Sequence, residues 1–170
     1  AHVNRWFRLL KHRWHDEADA RRALGAGAAD RLRKRVADSE LGHSGEIRIC
    51  VEASLPLSYL WRGATARERV LSNDGEPAVS YTEANNGVLI YLLIAEHNIE
   101  IIADRGLNRR IGAAHWQAIT AGMSESFRAG RFEDGLNAAV DAVSQVLCEH
   151  FPLAAGERNP NELPDALVIR

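Results

Sequence analysis

Three acidic residues far apart in the chain, Glu46, Glu83 and Asp104, stand near neutral oxygen donors at Ser44, Asn85 and Asn86. Carboxylates combined with amide and hydroxyl oxygens are the donors a hard cation takes, which here means calcium or magnesium. Arg105, beside Asp104, argues for another use: an anion such as phosphate, or an internal ion pair. Other chemistries find less support. His12 and His15 are three apart, but no Cys or acidic ligand joins them at zinc-site spacing, so they read as solvated side chains. Cys50 and Cys148 lie far apart with no CxxC partner, a pattern that fits reduced thiols rather than a disulfide scaffold. Ser44, in His43-Ser44-Gly45, lacks a G-x-S-x-G elbow and reads as a loop serine. Neither a GxxxxGK[ST] nor a GxGxxG run occurs, so nucleotide binding has no direct support.

The elements that must position these residues follow from periodicity. Leu32 and Val36 give the apolar stripe of a helix from Ala28, with a charged outer face and a stop at Gly42. Residues 47–51 then alternate, with Ile47, Ile49 and Val51 on a buried face and Arg48, Cys50 and Glu52 opposite. A short helix is expected over 64–71 and a loop over 72–78 (SNDGEPA). The continuous apolar run 88–95 (VLIYLLIA) suits a central strand covered on both faces. Only His97-Asn98 separates it from the run 99–103, which predicts an antiparallel hairpin whose turn uses the positive φ that Asn tolerates. Two amphipathic helices follow, one striped by Trp116, Ile119, Met123 and Phe127, the other by Phe132, Leu136, Val140, Val143, Leu147 and Phe151. Gly130 divides them, Pro152 ends the second, and His150 sits where a cation suits the helix dipole.

The fold predicted is a mixed β-sheet with a central hairpin, flanked by helices on both faces. Residues 26–156 form its body, after an N-terminal segment 1–25 and before an extended tail 157–170. If the first two strands are parallel and the third returns antiparallel, their acidic ends meet at one end of the sheet. That would gather Glu46, Glu83, Asn86 and Asp104 into a divalent-cation site, with His43, Ser44, Asn85 and Arg105 around it. The alternative is a polar rim whose carboxylates cap loops or pair with Arg48 and Arg105.

Composition sets the outer limits. The 170 residues suit one domain with one core, and 46% hydrophobic with 26% charged residues is ordinary for a folded chain. A net charge of −2 draws the whole protein to neither nucleic acid nor an anionic membrane. Residues 1–10 have no uninterrupted apolar core of a signal peptide, and the apolar run 88–95 is far short of the roughly 20 residues a spanning helix needs. A cytoplasmic location is therefore expected.

Three stretches read together resemble the TPM-domain family: 39–51 (SELGHSGEIRICV), 85–107 (NNGVLIYLLIAEHNIEIIADRGL) and 123–135 (MSESFRAGRFEDG). The second is similar to the family's NGVL strand and hairpin, the third to its F-x-x-G-x-[FY]-x-x-G helix junction. The resemblance runs over 28–151 and is strongest to short, cytosolic-type bacterial members. It implies a mixed sheet flanked by helices. Functionally it implies less, since some members are described as acid phosphatases, others bind divalent cations, and one animal branch modulates a receptor. Where many members carry acidic residues after the glycine turn, this chain has Leu107-Asn108-Arg109-Arg110, an amide and bases. Before Glu83 it has Ser80-Tyr81-Thr82, where close relatives tend to have an aromatic and an acid.

Three functions follow. The first is a binding or accessory domain without catalysis, meeting a protein partner and carrying a weak divalent-cation site. The second is a metal-dependent acid phosphatase acting on phosphomonoesters. The third is a peripheral membrane protein held through Trp6, Phe7 and Trp14. Trp6, Phe7, Leu10 and Trp14 share one side of a short helix, flanked by Arg5, Arg8, Lys11 and Arg13. Burying one large apolar side chain contributes roughly 1.5–3 kcal/mol, against about 1 kcal/mol for each basic contact with anionic lipid, so docking on protein is expected to win. Flotation with anionic liposomes checks this. The chain should stay off the lipid, and recovery that disappears on deleting residues 1–16 at unchanged thermal stability would reverse the conclusion.

Overall fold

The computed structural model describes residues 17–54, 87–154, 156–157 and 167–170. Helix α1 (Glu17–Leu24) turns through Gly25 and Gly27, both at positive φ, into α2 (Ala28–Ser39). Strand β1 (Glu46–Glu52) follows, then β2 (Gly87–Leu93), a 3-10 turn (Ile94–Glu96) and β3 (Asn98–Ala103). Three helices come next: α3 (Arg105–Arg110), α4 (Ala113–Arg128) and α5 (Phe132–His150), before a last strand β4 (Leu167–Ile169). The strands form one mixed sheet in the order β3-β2-β1-β4, with β1 parallel to both β2 and β4 and β2 antiparallel to β3. The mixed α/β architecture expected from the sequence is the one observed.

Register decides which side chains share a face. Ile47, Ile49 and Val51 of β1 line up with Val88, Ile90 and Leu92 of β2, and these with Ala103, Ile101 and Ile99 of β3. This face forms the core with the apolar stripes of the helices: Leu24 of α1, Leu32 and Val36 of α2, Trp116 and Phe127 of α4, and Leu136, Val140, Val143 and Leu147 of α5. Removing these branched and aromatic side chains from water supplies the main driving force for folding.

Four details depart from the sequence reading. Strand β1 is buried on both faces, since Cys50 and Glu52 are 5% and 4% exposed and Arg48 is half-buried. Its second face is thus covered as β2's is, and an alternation of polar and apolar residues did not mean a wet side. In the hairpin it is His97, not Asn98, that takes the left-handed conformation (φ 49°), because the 3-10 turn moves the reversal one residue earlier. The first helix of the domain ends at Ser39, three residues before Gly42. The Gly106 stretch is the opening of helix α3 rather than a turn. The short helix and loop expected over 64–78 lie outside the described residues.

Helix α2 is keyed to α5 by two forked ion pairs, Arg31 to Glu133 at 2.6 and 2.9 Å and Arg35 to Asp141 at 3.0 and 2.5 Å. These pairs are exposed, so they fix register more than they stabilise. Helices α4 and α5 pack closely at Gly135. A Cβ built on Gly135 would fall 2.7 Å from the Phe127 ring, which has no exposure and nowhere to withdraw. Gly135→Ala should therefore destabilise the fold by about 1–3 kcal/mol despite alanine's better helix propensity. Urea unfolding measures it, and adding Phe127→Leu should restore part of the loss.

Candidate functional site

The parallel β1–β2 pair and the antiparallel β2–β3 pair bring the start of β1, the start of β2 and the end of β3 to one end of the sheet. Glu46 pairs with Gly87, and the register Val88 to Ala103 places Asp104 on the other side of that glycine. Glu46, Gly87 and Asp104 thus form a row across three strands, on the sheet face opposite the helical core. The two acids are buried, at 2% and 1% exposure. The middle position carries no side chain.

Asp104 locks this row together. Its backbone N–H donates to the Gly87 carbonyl at 2.9 Å, and its carboxylate Oδ2 accepts from the Gly87 N–H at 2.9 Å. The carboxylate is therefore held against the Gly87 backbone on the side that faces β3. Although Asp104 precedes α3, its side chain does not cap that helix; its carbonyl accepts the Asn108 N–H at 3.0 Å and so starts the first turn.

Residues 40–45 close the same end. The Ser44 N–H donates to the Phe151 carbonyl at 2.9 Å, and the Ser44 hydroxyl reaches the same oxygen at 3.5 Å. His43 bridges Pro152 and is fully buried. Its burial lowers the imidazole pKa below the usual value, partly offset by a hydrogen bond to the Gly45 backbone. Glu40 was not foreseen as a member of this site. It is the C-cap residue of α2, and its Oε1 accepts the Ile47 N–H at 3.1 Å. Burial pushes the Glu40 carboxyl up to about 7, against the Ile47 hydrogen bond that lowers it, and the charge of Glu46 adds to the rise. One sequence signal could have found it: a carboxylate at the negative end of a helix is unfavourable there and needs another reason.

Glu46, Gly87 and Asp104 share one row of the sheet, while Glu40, His43 and Ser44 lie in the segment that leads into β1. His43, Glu46 and Asp104 are buried, and the Asp104 carboxylate holds a backbone N–H. Glu83, Asn85 and Asn86 lie outside the described residues, as does the side chain of Arg105. Among the described residues, no three His, Cys, Asp or Glu side chains converge as a ready metal-ligand group.

A family model described as the TPM domain matches residues 18–146. The chain belongs to the TPM domain family. The matched stretch of this TPM domain begins inside α1, which the sequence reading had set apart from the body, and ends near the close of α5. Among solved structures it is similar to the BA42 protein of the psychrophilic bacterium Bizionia argentinensis, determined by NMR. The TM-score is 0.69 at 23% identity, covering 84% of this chain and 92% of that one, which is a likeness of fold. No curated protein matches the chain. No described helix is long and apolar enough to cross a membrane.

The half-buried Glu40 and the buried His43 pull stability in opposite directions with pH. Glu40 binds its proton more tightly when folded, so its contribution is complete below about pH 4.5 and is lost as pH rises through about 7. His43, with its lowered folded pKa, contributes stability above about 6.5 and loses it as pH falls. Glu40→Gln keeps an acceptor for the Ile47 N–H but removes the first slope. Chemical denaturation at pH 5, 6, 7 and 8 should show stability of this variant rising through the range. The parent should gain less with pH, or decline, by up to about 3 kcal/mol relative to the variant. Parallel curves for the two proteins would contradict the assignment.

Proposed function

We propose that this TPM domain is a non-catalytic binding module whose sheet end takes a hard divalent cation, calcium in preference to magnesium. The row Glu46–Gly87–Asp104 carries this reading. It sets two buried carboxylates on either side of a residue with no side chain, and the backbone clamp on Gly87 fixes the Asp104 carboxylate at this end of the sheet. Asn86 is the next residue along from Gly87, and Glu83 lies three further back. Together they make an all-oxygen donor set, which suits calcium or magnesium and not zinc or copper. Calcium accepts irregular coordination, whereas magnesium demands a near-octahedral shell that donors from separate loops meet less readily.

The non-catalytic half of the reading rests on what the polar groups already do. The Ser44 hydroxyl lies against the Phe151 carbonyl, His43 is enclosed beside Pro152, and Glu40 holds a strand N–H. None of these pairs a nucleophile with a base in an accessible position, as hydrolysis of a phosphomonoester would need.

Calorimetric titration with calcium chloride tests the site. The parent should bind weakly, with a dissociation constant on the order of 0.1–1 mM. At tenfold excess over that constant its melting temperature should rise by about 3–6 °C. Asp104→Asn, which keeps an acceptor for the Gly87 N–H, and Glu46→Gln should each weaken binding at least tenfold while melting as cooperatively as the parent in EDTA. A parent with neither heat nor a calcium-dependent shift would end the cation reading. Steady turnover of p-nitrophenyl phosphate, abolished by the same substitutions, would assign the site to the phosphatase reading instead.

A further inference from the structure

Strand β4 is three residues long and lies beyond the stretch matched by the TPM domain, yet it forms the outer edge of the sheet beside β1. Its pairing is limited to Ile49, Cys50 and Val51. The Arg170 N–H donates to the Val51 carbonyl at 2.8 Å, and the Ala53 N–H donates to the Arg170 carbonyl at 3.0 Å. Backbone groups alternate in direction along a strand, so Ile47, Ile49 and Val51 present theirs to this edge, as does the Ala53 N–H. At Ile47 the partner is no strand but the Glu40 carboxylate. The edge is therefore closed in pieces by a side chain and a short C-terminal segment.

The fit of that segment is uneven. Leu167 is 4% exposed and belongs to the core, filling the first side-chain position. Ile169, two residues on, is only half-buried and borders an open cleft of about 470 Å³. The cleft is walled by Leu24, Ala26 and Ala29, with Arg21 and Arg22 also lining it; Arg22 also pairs with Asp19. The resident strand thus fills one subsite and underfills the next.

We propose that the outer edge of β1 is a strand-acceptor site, closed in cis by residues 167–170 and able to take an extended peptide in trans. The peptide runs parallel to β1. It carries a leucine-sized apolar residue in the Leu167 position and an aromatic side chain in the Ile169 position to occupy the cleft. Main-chain hydrogen bonds would supply affinity and the alternate pockets specificity, as in other strand additions to a sheet edge. This site lies on the opposite flank of β1 from β2 and does not depend on the cation reading.

Native-state hydrogen exchange on the full chain tests the first half. The Arg170 and Ala53 amides should exchange at least a hundredfold faster than those of Ile90 and Leu92, as expected of an edge that opens without global unfolding. Exchange in step with Ile90 and Leu92 would overturn the proposal. For the second half, fluorescein-labelled peptides of residues 163–170, with the resident sequence or with Ile169→Trp, are titrated against the full-length parent and Leu167→Asp. The altered peptide should bind at least tenfold tighter than the resident sequence, and both should bind the variant tighter than the parent. If Leu167→Asp does not fold, the altered peptide at excess should instead raise protection of the parent's Ala53 amide. Failure of both peptides on folded protein would overturn the proposal. Dimerisation of the parent without peptide binding would also overturn it, assigning the edge to a second copy's segment.

Discussion

A strand with all seven residues buried, as β2 is, must have both edges paired and both faces covered, because an unpaired backbone group without water costs far more than a hydrogen bond returns. The rest of the fold answers that demand. β1 closes one edge in parallel and β3 the other in the antiparallel sense, so the strand ends that carry acidic residues arrive together. Helices α4 and α5 meet the demand on the core face, and their close contact at Gly135 and Phe127 keeps them tight against it. The candidate site is in this sense a by-product of strand pairing: once Gly87 is the first residue of the central strand, its neighbours in the row are Glu46 and Asp104.

Much of this was legible because it depended on period and sign. The run 88–95 had no polar residue to place outside, and the helix stripes from Trp116 and Phe132 were long enough to leave little choice. The juxtaposition of Glu46 with Asp104 followed from strand directions alone. What escaped was decided by tertiary context. Nothing local distinguishes Cys50 and Glu52 on a covered face from the same residues in water, and the placement of the left-handed residue at His97 depended on a 3-10 turn that no pattern announced. Glu40 was passed over because a charged residue at the end of a charged helix looks like surface until the Ile47 N–H is found against it.

Glu40 and Asp104 show the same device used twice. Each carboxylate accepts the N–H at or near the start of a strand, Asp104 at Gly87 and Glu40 at Ile47, a place where the sheet ladder has no carbonyl to offer. A side-chain oxygen thus stands in for a strand at the first residues of β1 and β2. Burial of the acids follows, and with it the local concentration of negative charge that a cation would relieve. Structural and binding roles are therefore not competing explanations of these residues.

The position of β4 in the chain sets the order in which the sheet is completed during synthesis. β1 leaves the ribosome more than a hundred residues ahead of Leu167, which at about 5–20 residues per second leaves it waiting on the order of ten seconds. Throughout that interval the outer edge of β1 has Glu40 but not its final strand. A nascent TPM domain of this kind passes through a stage in which a ready-made template for strand addition is open to other chains.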